Sequence, residues 1–485
     1  MNGKRISTGI PGLDIILQGG FMPGYSYLLA GSTGSGKTIL SLQWLLSDEK
    51  LLNDGKCQYI TLAERAGELH ANVDSFGWSL DKIDIVDLSP SGKPGDVEEY
   101  TVFSPSEVEL STTWKAIYDA IEKKKPEKVV IDSVTLLSYL STDDYQFRKH
   151  LLVFVNYLKS IKCTALLLYD PTEMDKDASL ALSVDAVLYL DRTLSQSRVI
   201  DLRMIEIQKL RGSGYLSGLH PMRITNEGIT IYPHIIEKDV PPALRDEVLT
   251  SGITGLDDLL KGGLEVGTNT LITGPAGAGK STLGMQYLLS EARKGNSSVL
   301  YAFEEHEPFI VKRAENLGMD IRPYIDNGII KIVFVNPLDL FPDELLLKIR
   351  NELKRGVKTV VLDSMRGFNI SMEQFGNILT HTQNLINFLK SKQVNVIIIN
   401  EMEAITGDLR LTDYGISYIA DNVLLLRFAE LDGRIIRLIS CMKKRLGEYE
   451  PELRELIISN EKGIQVGDKL EGFSGLLSGT PIKNR

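Results

Sequence analysis

The chain repeats itself. Residues 7–20 read STGIPGLDIILQGG, and residues 250–263 read TSGITGLDDLLKGG. Gly9, Gly12, Leu13, Asp14, Gly19 and Gly20 recur as Gly252, Gly255, Leu256, Asp257, Gly262 and Gly263, at a constant shift of 243 positions. The same shift carries GSTGSGKT (31–38) onto GPAGAGKS (274–281). Later matches drift, as loop-length changes require: Asp132 pairs with Asp363 at a shift of 231. Solenoid units run about 20–50 residues, so a period this long means a tandem domain. With 485 residues in all, each half is long enough for its own core.

The repeat sets the expected boundaries: a first domain over 1–235, a linker over 236–247, a second domain over 248–470 and a flexible tail over 471–485. HIIEKDVPPALRDEV (234–248) mixes charges with Pro241-Pro242, as linkers do. GFSGLLSGTPIKNR (472–485) reads as a loose end. Within the first half, YSYLLA (25–30), CQYITLA (57–63), KVVID (128–132) and CTALLLY (163–169) read as buried strands. Between them ILSLQWLLSDE (39–49), TTWKAIYDAIEKKK (112–125) and FRKHLLVFVNYLKSI (147–161) have helical periodicity. NTLIT, SVLYAF, TVVLD and VNVIIIN repeat the pattern in the second half. Apolar strands alternating with helices predict an α/β fold, a mostly parallel sheet flanked by helices, twice over.

G-x-x-x-x-G-K-[ST] occurs once per half. Gly31, Ser32, Thr33, Gly34, Ser35, Gly36, Lys37 and Thr38 form the first copy; Gly274, Pro275, Ala276, Gly277, Ala278, Gly279, Lys280 and Ser281 form the second. Glycines let the backbone turn its N–H groups around phosphates, and the helix that follows points its dipole at the anion. Lys37 and Lys280 supply charge to the β and γ phosphates, while Thr38 and Ser281 offer a hydroxyl to Mg²⁺. Asp132 and Asp363 each end an apolar strand before a Ser, the place for a carboxylate that holds a magnesium-bound water. YAFEEHE (301–307) puts Glu304-Glu305 at a strand end, where a carboxylate can polarise a water for attack on a phosphate. Glu304 is also a candidate metal ligand. The first half reads ITLAER, so Ala63 stands at the first Glu position and Glu64 remains.

Taken with the STGIPGLD/SGITGLD starts, this layout resembles the KaiC family of RecA-like P-loop ATPases over about residues 5–480. The resemblance implies tandem RecA-like domains stacked as a double ring of six subunits, with ATP and Mg²⁺ between neighbours, and ATP hydrolysis. The family's KLRG appears as Lys209, Leu210, Arg211 and Gly212, a nucleotide-binding segment from which, by the resemblance, Lys209 and Arg211 reach the γ-phosphate held by the neighbouring subunit, an arginine-finger arrangement. The second copy is KKRLG, giving Lys443 and Arg445, with Leu446 where the family has Gly. By the same resemblance, Ser75 in SFGW lies near the nucleotide, and Leu317 takes the place of the family's adenine-side Trp. The family's adjacent Ser-Thr phosphoacceptors become Ser417-Tyr418, against Ala181-Leu182 in the first half, so any serine autokinase is confined to the second domain.

Two other functions compete. One is a RecA-like ATPase associated with DNA; the other is a scaffold or signalling protein that binds ATP with little turnover, with Ala63 favouring that role for the first domain. Lys+Arg 54 against Asp+Glu 64 gives a net charge of −10, so nucleic acid is not an expected partner. The expected partners are further copies of the chain, as a homohexamer, and signalling proteins. Three distant cysteines without a CxxC argue against a disulfide framework or zinc site. No apolar run approaches ~18 residues, so a cytoplasmic protein without a membrane span is expected.

Overall fold

The computed structural model describes residues 5–90, 112–141, 143–171, 179–194, 201–235, 246–372, 375, 378–402, 418–431, 433–460, 463–476 and 482–483. The chain divides into two compact units, Met1–Ile235 and Ile236–Arg485. Each is a RecA-like α/β domain with one large sheet.

In the first unit the strands are β1 (Ser26–Gly31), β2 (Cys57–Thr61), β3 (Asp84–Asp87), β4 (Lys128–Asp132), β5 (Thr164–Tyr169), β6 (Ala186–Leu194), β7 (Asp201–Leu210), β8 (Leu219–Thr225) and β9 (Gly228–Ile231). Their order across the sheet is β3-β2-β4-β5-β1-β6-β7-β8-β9. The strands from β3 to β6 are parallel; β7, β8 and β9 add antiparallel. β1, β2, β4 and β5 are buried at every residue, which fits the apolar residues that dominate their centres. Helix Lys37–Leu46 covers one face through Leu40, Trp44 and Leu45. Helices Thr112–Lys124 and Asp144–Ser160 cover the other through Trp114, Ile117, Leu151 and Phe154. The helix expected over 39–49 ends at Leu46, and Asp48 caps a second short helix, Glu49–Asn53, by accepting from the Leu51 N–H.

The second unit begins with a short antiparallel pair, β10 (Val248–Leu249) and β11 (Leu264–Glu265). Its sheet holds β12 (Asn269–Gly274), β13 (Ser298–Ala302), β14 (Ile330–Phe334), β15 (Thr359–Asp363), β16 (Asn395–Glu401), β17 (Asn422–Leu431), β18 (Arg434–Lys444), β19 (Arg454–Ser459) and β20 (Gly463–Lys469). The order β14-β13-β15-β16-β12-β17-β18-β19-β20 is the first sheet over again. In the tail, β21 (Phe473–Ser474) pairs with β22 (Ile482–Lys483), and Leu476 is buried against Ala429 and Leu438.

The repeated opening motif has a mechanical role. Asp14 Oδ1 accepts from the Thr8 N–H and hydroxyl at 2.8 and 2.6 Å; Asp257 Oδ1 does the same for Ser251, at 2.8 Å each. A Cβ on Gly12 would fall 1.9 Å from the Ile231 carbonyl oxygen, and one on Gly255 2.4 Å from that of Val466. These glycines let the opening turn lie against the last strand of its own sheet.

Candidate nucleotide-binding sites

Each P-loop joins the central strand of its sheet to a helix. Gly36 (φ 106°) and Gly279 (φ 102°) precede helices Lys37–Leu46 and Lys280–Arg293 in the left-handed region that favours glycine. A Cβ on Gly279 would meet Ile458 Cδ1 at 2.3 Å. The left-handed turns bring the loop's N–H groups round to the helix N-terminus, an anion cradle.

In the second unit the loop opens into a cavity of about 660 Å³ whose lining includes Lys280, Ser281, Glu304, Glu305, Asp363 and Glu401. The sheet order explains this gathering. β13, β15, β16 and β12 are adjacent and parallel, so their carboxyl ends meet along one edge of the sheet. Lys280 Nζ donates to the Pro275 carbonyl at 2.8 Å, and burial pushes its ammonium below the usual lysine range against the pull of Glu401, Asp363 and Glu304. Burial raises Asp363 to about 6, opposed by a hydrogen bond from Ser281. The two glutamates have different partners. Arg313 Nη1 holds both oxygens of Glu305, at 2.7 and 2.5 Å, while the Ser364 hydroxyl donates to Glu304 Oε1.

The first unit is wired differently. Leu62 N–H donates to the Asp132 carbonyl and Phe303 N–H to that of Asp363, so Ala63 and Glu304 leave their strands at the same point. The Glu304 carboxylate therefore has no counterpart there. Asp132 Oδ2 accepts from the Tyr59 hydroxyl at 2.5 Å and from Thr38 Oγ1 at 3.3 Å. Burial raises Asp132 above the usual carboxylate range, and raises Glu64 with help from the Asp132 charge. Lys37 Nζ donates to the carbonyls of Gly31 (2.8 Å) and Ser32 (3.1 Å) and to Asp170 Oδ1 (2.6 Å).

Thr38 with Asp132, and Ser281 with Asp363, each bring a hydroxyl to a carboxylate beside the P-loop. Hard oxygen donors of this kind fit a Mg²⁺ that keeps several waters. Ser75 is exposed and directly follows helix Ala66–Asp74. The KLRG residues lie elsewhere, at the ends of β7 and β18. Lys209 Nζ donates to the carbonyls of Ala181 and Val184, and Arg211 to that of Leu182. Lys443 donates to the Ala420 carbonyl and Arg445 to that of Tyr418. Gly212 has φ 72°, whereas Leu446 is not among the described residues with positive φ, so the two turns differ in conformation. Ser417 lies outside the described residues; Tyr418 is 81% exposed.

Sequence reasoning missed Asp170, Glu401, Tyr59 and Arg313, and also the arginines outside the loops. Arg437 Nε donates to the Gly277 carbonyl at 3.2 Å, and Arg192 lies against Gly34 while paired with Asp201. A signal for Asp170 and Glu401 existed: both are acids at the end of the strand after the Asp132 or Asp363 strand.

The model of the KaiC ATPase family matches residues 6–235 and again 249–471. The chain belongs to the KaiC ATPase family. Its curated relatives include circadian clock oscillator proteins KaiC. That of Parathermosynechococcus lividus is 28% identical, over 98% of this chain and 88% of its own. That of one strain of Prochlorococcus marinus is 27% identical, over 99% and 96%. That of Thermosynechococcus vestitus is 28% identical, over 99% and 92%. The KaiC family makes this a P-loop ATPase with two nucleotide-binding domains. Among the described residues no helix is long and apolar enough to cross a membrane.

Proposed function

We propose that this KaiC-family ATPase binds Mg-ATP at both P-loops, assembles as a homohexameric double ring with nucleotide between subunits, and turns ATP over chiefly in its second domain. The observation that carries the reading is the second cavity, where Lys280, Ser281, Asp363 and Glu304 converge. Lys280 would neutralise the β and γ phosphates. Ser281 and Asp363 would hold the metal, which supplies charge to the phosphates and the leaving group. Glu304, oriented by Ser364 and free of the Arg313 clamp on Glu305, is the base that takes a proton from the attacking water. In the first domain Ala63 replaces that base, and the role assigned there is to hold nucleotide.

Assembly is supported by Lys209, Arg211, Lys443 and Arg445, which stand away from the P-loop of their own domain in the family's KLRG position. The proposal extends to phosphoryl transfer onto Ser417, or onto Tyr418 beside it, near Arg445. Steady-state ATPase together with phosphosite mapping after incubation with Mg-ATP tests the reading. Turnover without phosphate at Ser417 or Tyr418 would leave a plain ATPase, and no turnover at all would favour the scaffold.

A further inference from the structure

All three protons of the Lys37 ammonium are already engaged within the chain. Two go to the loop carbonyls of Gly31 and Ser32, and one to Asp170 at 2.6 Å. A phosphate that approaches Lys37 must take over one of these directions. The two carbonyls belong to the loop backbone. Asp170 is the one partner that bears a net charge and sits on a side chain able to turn, with that side chain 37% exposed.

The position of Asp170 is built by the sheet. It directly follows β5, which lies between β4, ending in Asp132, and β1, ending in Gly31. Its N–H donates to Thr135 Oγ1 at 2.8 Å, which anchors the backbone there. The β1–β5 register pairs Ala30 with Tyr169, so Asp170 comes next, level with Gly31. In the second unit Gly274 is paired with Glu401, whose charge acts on Lys280. An acid thus stands beside the P-loop lysine in both domains, at one register position.

We infer that Asp170 is a specificity-determining residue of the first nucleotide site, a built-in counter-anion that admits metal-bound nucleotide and disfavours metal-free nucleotide. The inference rests on the reading of Lys37 as the phosphate-binding lysine. A metal-free triphosphate brings several negative charges against Asp170 and Asp132 together. A divalent cation held by Thr38 and Asp132 offsets that repulsion and leaves Lys37 free to exchange its carboxylate for a phosphate. Charges this close are poorly screened by salt.

The test is equilibrium titration of the full-length chain carrying Lys280→Ala, which weakens the second P-loop so that the first site dominates the signal, with a fluorescent ATP analogue in excess Mg²⁺ or in EDTA. Asp170→Asn keeps the shape and removes the charge. It should tighten binding in EDTA about tenfold or more and change binding in Mg²⁺ by less than about threefold, narrowing the ratio between the arms; about tenfold corresponds to ~1.4 kcal/mol. Asp170→Glu should restore the wide ratio, and Asp170→Ser should repeat the Asn result if Asn disturbs folding. An equal shift in both arms, no shift, or weaker binding in EDTA would overturn the inference while leaving the nucleotide site intact. Binding that Lys37→Ala leaves unchanged would instead remove the reading of Lys37, and this inference with it.

Discussion

At the scale of single residues, the two sites differ most in where their carboxylates point. Glu304 accepts from the Ser364 hydroxyl and stands in the second cavity; Ala63 holds the same place in the first unit. A general base contributes about 10²–10⁴-fold to rate. Glu304→Gln should therefore remove most of the ATPase and keep nucleotide binding, because Lys280 and Ser281 are untouched. Glu64→Gln should change turnover little. Glu64 does feel Asp132 and is held by Asn72 Nδ2 at 3.2 Å, so it is the group to watch in the first domain. Steady-state turnover of the two variants decides: full activity in Glu304→Gln with loss in Glu64→Gln would reverse the assignment.

Among the elements, the opening turns and the sheet ends carry the mechanical load. Gly12 has φ 89°, and any Cβ there would strike the Ile231 carbonyl. Gly12→Ala should cost about 1–3 kcal/mol, the usual size of such backbone strain. The first unit's unfolding midpoint in urea reports this, and an unchanged midpoint would contradict the packing role. In the second unit, Glu450 joins the opening turn to β19, bonding Lys261 at 2.9 Å and Arg454 at 2.5 Å. The hydrogen bonds from Lys261 and Arg454 hold Glu450 at about 2. An unfolded Glu titrates near ~4.3. With the folded value lowered, the stabilisation is complete above the unfolded value and is lost as pH falls through the folded one. Glu450→Gln should therefore lower the second unit's urea midpoint at pH 7, and the difference from wild type should shrink as pH drops from about 4 toward 2. A difference that does not vary with pH would refute the ion-pair account.

On the scale of the whole molecule, two domains of one topology carry unequal sites. The proposed division of labour predicts unequal effects on assembly. Mass measurement of the intact particle in saturating Mg-ATP should give a hexamer, and a monomer would sink the ring proposal. Lys37→Ala and Lys280→Ala should both weaken nucleotide binding, since each removes the charge opposite the phosphates. Lys37→Ala should impair assembly more, and equal loss in both variants would contradict a holding role for the first site. The net charge of −10 predicts no salt-dependent retention on DNA, and a DNA-binding assay at two salt concentrations checks this: retention that weakens with salt would favour the DNA-associated ATPase instead.

What the sequence determined by itself was local. The duplication, both P-loops, the strand-end positions of Asp132, Asp363 and Glu304, and the alternation of strands and helices follow from short patterns. Glycine is needed where φ is positive, and apolar runs are needed where strands are buried on both faces. Partners of those residues were decided only by the tertiary structure. Asp170 lies 133 positions from Lys37, and Tyr59 lies 73 from Asp132. They meet because β5 inserts between β4 and β1 while β2 flanks β4, an order that no local pattern encodes. Even the nearer pair, Arg313 with Glu305, needed the helix Glu307–Asn316 to fold back over the strand end. The place of each P-loop between a strand and a helix was legible in the sequence; the charges beside it are set by which strand ends the sheet makes neighbours.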